Sequence, residues 1–163
     1  LERTPKVLST LLSGLSEEWT ENNEGENTWS PYDVIGHLVH GEEVDWLVRT
    51  KIILEFEEAK TFEPFDRFAQ FEKSKGKSID QLLEEFTQLR KVNLEAFKSL
   101  NISESDLDKK GSHPGLGTIT LRNMLSSWVA HDLGHIAQIS RVMAKQYSSE
   151  IGPWHEYLAI MSA

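Results

Sequence analysis

The feature that most constrains this chain is a run beginning at Thr120, in which Leu121, Met124, Leu125, Trp128, Ile136, Ile139 and Met143 recur at helical spacing. Only an α-helix gathers such positions into one stripe, because its side chains return to the same face every 3.6 residues. A helix from Thr120 to near Tyr147 is about 40 Å long at the standard rise. It cannot bury an apolar stripe of that length alone, so it needs other long helices beside it.

The rest of the chain supplies them. Thr4-Pro5 offers a capping hydroxyl followed by proline, and Val7, Leu8, Leu11, Leu12 and Leu15 carry a first helix to near Trp19. Glu21 to Asn27 is polar, contains Gly25 and reads as a loop. Ser30-Pro31-Tyr32-Asp33 opens a long second helix through Val34, Leu38, Val44, Leu47, Val48 and Ile52 to about Phe56. Ser78-Ile79-Asp80-Gln81 opens a third, with Leu82, Leu83, Phe86, Leu89 and Phe97 inward and an end near Leu100. Across 57–77, Phe62, Phe65, Phe68 and Phe71 fit either a helical turn or an aromatic lid. Lys109 to Gly117, rich in glycine, predicts a loop, and Trp154 to Met161 a short helix. No strand-length run alternates. The expected fold is all-α: a four-helix bundle with long second and fourth helices, forming a single domain over 1–163.

Charge and cysteine content narrow the function. The net charge is −9, and no Lys/Arg cluster could displace counterions from nucleic acid or hold an anionic membrane surface. There is no cysteine, hence no disulfide, thiolate ligand or cysteine nucleophile. No apolar run approaches bilayer length and the opening residues lack a signal-peptide pattern, so a cytoplasmic location is expected.

Chemistry points to the six histidines. His131 and His135 stand four apart on the fourth helix and in line with its apolar stripe, so both rings project from one face into the bundle. Burying two imidazoles without partners is costly, and a metal ion satisfies both. The competing reading is a pair of core histidines bonded to ordinary acceptors. His37, on the inward face of the second helix between Val34 and Val44, tips the balance toward an ion. Gly36, Gly41 and Gly134 lie beside or one turn from these histidines and read as close helix approach or room for a ligand. Three neutral nitrogens suit zinc, nickel, copper or iron better than magnesium or calcium, and leave a position open for water or substrate.

Trp29-Ser30-Pro31 through His37-Leu38, and His113-Pro114-Gly115 through His131-Asp132-Leu133-Gly134-His135-Ile136-Ala137-Gln138, resemble the DinB-like superfamily. The resemblance follows helix order over most of the chain. It implies a four-helix bundle, a homodimer, and a zinc or nickel ion on His37, His131 and His135. It also implies a small-molecule substrate and, as in several relatives, a transferase using a low-molecular-weight thiol such as bacillithiol or mycothiol.

Other readings stay open. His131-Asp132-Leu133-Gly134-His135 also looks like the His-Glu-x-x-His of zinc peptidases, with Asp132 as a base one methylene shorter and Glu156 as a third ligand. A metal-dependent hydrolase, a metal sensor, or a structural ion with His40 or Glu156 as fourth ligand are the alternatives to a transferase. Gln138 shares the face of His131 and His135 and is placed to bond an imidazole or a substrate. Asp45, two turns beyond His37, is a candidate base or orienting group, or else a salt-bridged carboxylate. His113 and His155 are expected at the surface, and Trp29, Trp46 and Trp128 in the pocket wall or core.

Overall fold

The computed structural model describes residues 1–162. Its helices are α1 (Thr4–Leu12), α2 (Glu17–Glu21), α3 (Pro31–Val44), α4 (Trp46–Phe56), α5 (Ala69–Ser74), α6 (Ile79–Ser99), α7 (Leu121–Lys145) and α8 (Ala159–Ser162). One antiparallel hairpin, β1 (Lys110–His113) and β2 (Gly117–Thr120), precedes α7. The four bundle positions are filled by α1, the α3–α4 pair, α6 and α7. Helix α3 packs on α6, α5 and α7; α1 packs on α6 and α7; α4 packs on α7. Among the described residues, no helix is long and apolar enough to cross a membrane.

Three of the helix starts follow from local chemistry. Ser30 Oγ accepts from Asp33 N–H at 3.1 Å while Asp33 Oδ2 accepts from Ser30 N–H at 2.9 Å. Ser78 with Gln81, and Thr120 with Asn123, repeat the exchange at the heads of α6 and α7. The expectation for Thr4 needs correcting. Arg3 occupies the cap of α1 without a side-chain bond, and the Thr4 hydroxyl instead donates to Asp132 Oδ2 at 2.6 Å. A tertiary partner on a buried carboxylate outcompetes the local cap.

The first and second helices are also shorter than expected. α1 stops at Leu12, where Gly14 takes a φ of +74°, and the chain restarts as the short α2. The second helix breaks at Asp45, whose φ and ψ are −109° and −86°. The break lets the Trp46 indole fold back over α3, where a Cβ on Gly41 would stand 3.3 Å from Trp46 Nε1. Trp46 then stacks parallel on Trp128 of α7 with centroids 5.7 Å apart.

The glycine-rich segment expected to be a loop forms the hairpin. Lys110 pairs with Thr120 and His113 with Gly117, and His113 Nδ1 accepts the Gly115 and Leu116 N–H groups, both at 3.1 Å. A Cβ on Gly111 would come within 2.7 Å of Ile53, so only glycine lets this strand lie on α4. Phe62 N–H donates to Ser112 O at 3.0 Å, which ties the 57–77 segment to the hairpin. That segment divides: Phe62 is buried, Phe68 and Phe71 are exposed, and α5 begins at Ala69.

Two apolar clusters make the core. One gathers Leu8, Leu12, Ile35, Leu38, Phe86 and Ile139. The other gathers Trp46, Ile53, Phe62, Leu121, Met124 and Trp128. On α7, His131 and His135 fall between Trp128 of the second cluster and Ile139 of the first.

Candidate metal centre

The three histidines converge. His37 Nε2 lies 3.0 Å from His131 Nε2, and His135 Nε2 lies 3.1 Å from the same atom. Among the described residues this is the one group of three whose ligand atoms are close enough to share an ion. α3 carries the first ring and successive turns of α7 the other two. The approach of α5 to α3 depends on Gly36, where a Cβ would stand 2.4 Å from Ser74 Oγ. Gly134 differs, since a Cβ there would meet nothing within 4 Å. Of the two readings of these glycines, close approach holds at Gly36, while at Gly134 the space is open.

Proton accounting at the cluster leaves a deficit. Gln138 Oε1 accepts from His135 Nδ1–H at 2.8 Å, so a neutral His135 presents a bare lone pair at Nε2. The contact to His131 then needs a proton on His131 Nε2, and the same proton would also have to serve the contact to His37. One hydrogen cannot point at both. A cation at the focus removes the conflict by accepting all three lone pairs. For a tetrahedral ion with bonds near 2.05 Å, nitrogens stand about 3.3 Å apart, a few tenths wider than here. The donor set therefore fits a zinc-like or nickel-like ion.

The rings are held in the form that ligates. Burial, reinforced by the charges of His135 and His131, depresses the His37 pKa to about 3. Burial, with His135 and Arg90 nearby, does the same to His131, again to about 3. Burial also lowers His135, against the raising effects of its Gln138 bond and Asp132. All three are neutral at pH 7.

Aromatic rings surround the cluster. The Trp29 ring lies 4.9 Å from His37, Phe65 5.4 Å from His37, and Trp46 5.0 Å from His131. Gln70 of α5, which sequence reasoning missed, has its carboxamide against His37 and keeps that pKa from falling further. Neither of its amide atoms reaches normal hydrogen-bond geometry, and both are buried, as is the unpartnered His37 Nδ1. The only sequence signal for it was Gly36, which admits α5.

The other candidates lie apart. Both oxygens of Asp132 are taken, by Arg90 at 2.6 and 3.0 Å and by Thr4, so it faces away from the cluster as an anchor. This removes the base that a peptidase-like reading requires. Asp45 is salt-bridged to Arg49 Nε at 2.9 Å, and burial raises its pKa. His40 is buried and is not drawn to the triad. Its Nδ1 meets Lys73 Nζ at 3.2 Å, with Glu43 beyond and Phe65 over the ring. His155 and Glu156 are exposed in the turn Gly152–Tyr157. No fourth protein ligand joins the three rings among the described residues.

A cleft of about 670 Å³ reaches the cluster, lined by Trp29, Arg67, Phe68, Phe71, His135 and Gln138 with the Glu24–Arg141 pair at its margin. Solvent and small molecules thus have a route to the face of His135.

Comparison with known proteins agrees with this architecture. A search of curated proteins finds no significant match. Among solved structures the chain is similar to YfiT from Bacillus subtilis, described as "a probable metal-dependent hydrolase with an unusual four-helix bundle topology". The two share 22% identity over 89% of this chain and 82% of that one, with a TM-score of 0.75. At that identity the likeness speaks to the fold. The model of the DinB superfamily matches residues 1–139, a stretch that includes all three clustered histidines, and the chain belongs to that superfamily.

Proposed function

We propose that His37, His131 and His135 hold one divalent transition ion, zinc or nickel, and that the site transfers a small thiol to an electrophile bound in the cleft. The observation that carries the reading is the convergence of three Nε2 atoms at 3.0 and 3.1 Å with one proton too few to satisfy them. A bound ion would supply Lewis acidity, lowering the pKa of whatever nucleophile occupies the open position. The chain does the rest. Gln138 fixes the tautomer and tilt of His135, Gln70 backs His37, and Trp29, Phe65 and Trp46 cover the rings of His37 and His131.

An ion on the triad would let either a thiol or a water give up its proton near neutral pH. The surroundings lack a free carboxylate to assist a hydrolytic step: Asp45 and Asp132 are both committed to arginines, and Glu24, the one carboxylate among the described residues lining the cleft, is paired with Arg141 and Lys145. That shortage is the support for a thiol over water. With no cysteine in the chain, the sulfur comes from a cosubstrate.

The second reading is a metal-dependent hydrolase, favoured by the description of the similar YfiT fold. An assay of the zinc- or nickel-loaded protein on model electrophiles, with and without bacillithiol, mycothiol and glutathione, separates the two. We expect turnover that needs a thiol and is lost in His37→Ala. Equal hydrolysis without thiol transfers the case to the hydrolase, and inactivity throughout leaves a metal-binding or sensor protein.

We also propose a homodimer, as the family resemblance implies. Val129 and Leu133 on α7, with Val7 on α1, remain exposed and are suited to a partner surface. Light scattering at high concentration should give twice the chain mass; a single-chain mass rejects the dimer.

A further inference from the structure

We propose that the cleft beside the triad is a binding site for a small organic carboxylate with an apolar body, gripped by Arg67 and the rings of Trp29, Phe68 and Phe71. The idea deepens the reading above by naming what approaches the ion, and rests on that reading only for which end of the ligand reacts.

Charge is the first support. The chain carries −9, yet the cleft does not share that sign. Its one acid, Glu24, is consumed by Arg141 at 2.7 and 2.9 Å and by Lys145 at 3.3 Å. Arg67 is left exposed, its guanidinium 5.9 Å over the Trp29 ring, with no carboxylate paired to it among the described residues. A free guanidinium at the mouth of a cleft in an acidic protein attracts one anionic group while the overall field repels polyanions.

The second support is apolar. Phe68 is 66% exposed and Phe71 41% exposed, and the two rings stack on one cleft wall with centroids 6.3 Å apart. Phe71 also meets Trp29 edge-on at 6.5 Å. Aromatic surface held open to water beside a cation is what an amphipathic anion would cover. The volume suits one small molecule. Gln138 lines the same cleft, and with Oε1 engaged by His135 its amide N–H groups are available to a ligand. A carboxylate at Arg67 with its body along the rings would point its far end toward His135.

The test is direct binding at low salt, by calorimetry, of 3-phenylpropanoate against its uncharged analogue 3-phenylpropanamide. It uses the full chain and Arg67→Gln, each metal-free and zinc-loaded. Arg67 is exposed, so the variant should melt as the parent does. The parent should prefer the carboxylate by about tenfold in both metal states, as a charge-assisted contact implies, and Arg67→Gln should lose that preference while binding the amide unchanged. If the parent shows no preference, or Arg67→Gln retains it, the carboxylate site is overturned. A zinc-dependent gain that persists in Arg67→Gln, without a metal-free preference, places the anion on the metal and overturns the Arg67 site while the triad stands. An Arg67-dependent preference with no uptake of zinc supports the carboxylate site and removes the metal reading.

Discussion

Replacing His131 with alanine is expected to lower affinity for zinc or nickel by about a hundredfold or more, a larger loss than removal of an outer orienting partner produces. His131 is the ring to choose because its Nε2 is the atom that both other rings touch. Without it, His37 and His135 lose their common neighbour and the ion loses one of three nitrogens. A chelator-competition titration reads the loss directly, and unchanged affinity rejects the triad as the site. The same variant carries a signature that separates ligand loss from misfolding. With a folded pKa near 3 against an ordinary value of 6.5, His131 binds a proton in the unfolded chain before it does so in the folded one. Its effect is nil above about pH 6.5 and destabilises the metal-free fold progressively as pH falls toward 3, by roughly 1.4 kcal/mol for each unit of the gap. Metal-free melts from pH 7.5 to 4 should therefore fall less steeply for His131→Ala than for the parent. A steeper fall would contradict the half-buried, neutral imidazole.

Much of this architecture was legible from local pattern. The capping pairs at Ser30 and Ser78 depend on residues three apart, and so they appear in the sequence as they appear in the structure, whereas at Thr120 the partner Asn123 emerges only from the structure. The His131–His135 pair was legible for the same reason, since the spacing of four fixes a shared face. What escaped depends on tertiary partners. The break at Asp45 has no glycine or proline to announce it and follows from seating Trp46 between Gly41 and Trp128. The hairpin escaped because Lys110–His113 is short and lacks alternating apolar residues, its place being set by Ile53 and Phe62 against Gly111. Thr4 looked like a cap and is a ligand of Asp132. Gln70 and Arg67 lie in the 57–77 segment, where phenylalanines at intervals of three fitted two conformations, so neither could be aimed at the triad beforehand.

Arg90→Ala is expected to destabilise the protein by about 3–5 kcal/mol, because it leaves two buried carboxylates without a counter-charge. Arg90 of α6 is 1% exposed. Its guanidinium holds Asp132 at 2.6 and 3.0 Å and Glu42 at 2.9 Å, reaches the Leu1 carbonyl at 3.1 Å, and lies over the rings of Phe86 and Trp128. Glu42 belongs to the helix that carries His37, and Asp132 follows His131 directly. One cation thus ties together the two helices that present the imidazoles. Denaturant unfolding at pH 7 measures the loss, and a loss below about 1 kcal/mol would reduce Arg90 to a packing residue. A second variant, Arg90→Met with Glu42→Leu and Asp132→Leu, removes all three charges and should recover much of the lost stability, since a well-packed apolar replacement of a buried ion network is often neutral or better. The two variants divide folding from function. If the triple variant folds yet binds zinc or nickel more weakly than the parent, the ion network also positions α3 against α7 for the histidines. If it binds with parental affinity, apolar packing alone is enough to bring His37 to His131.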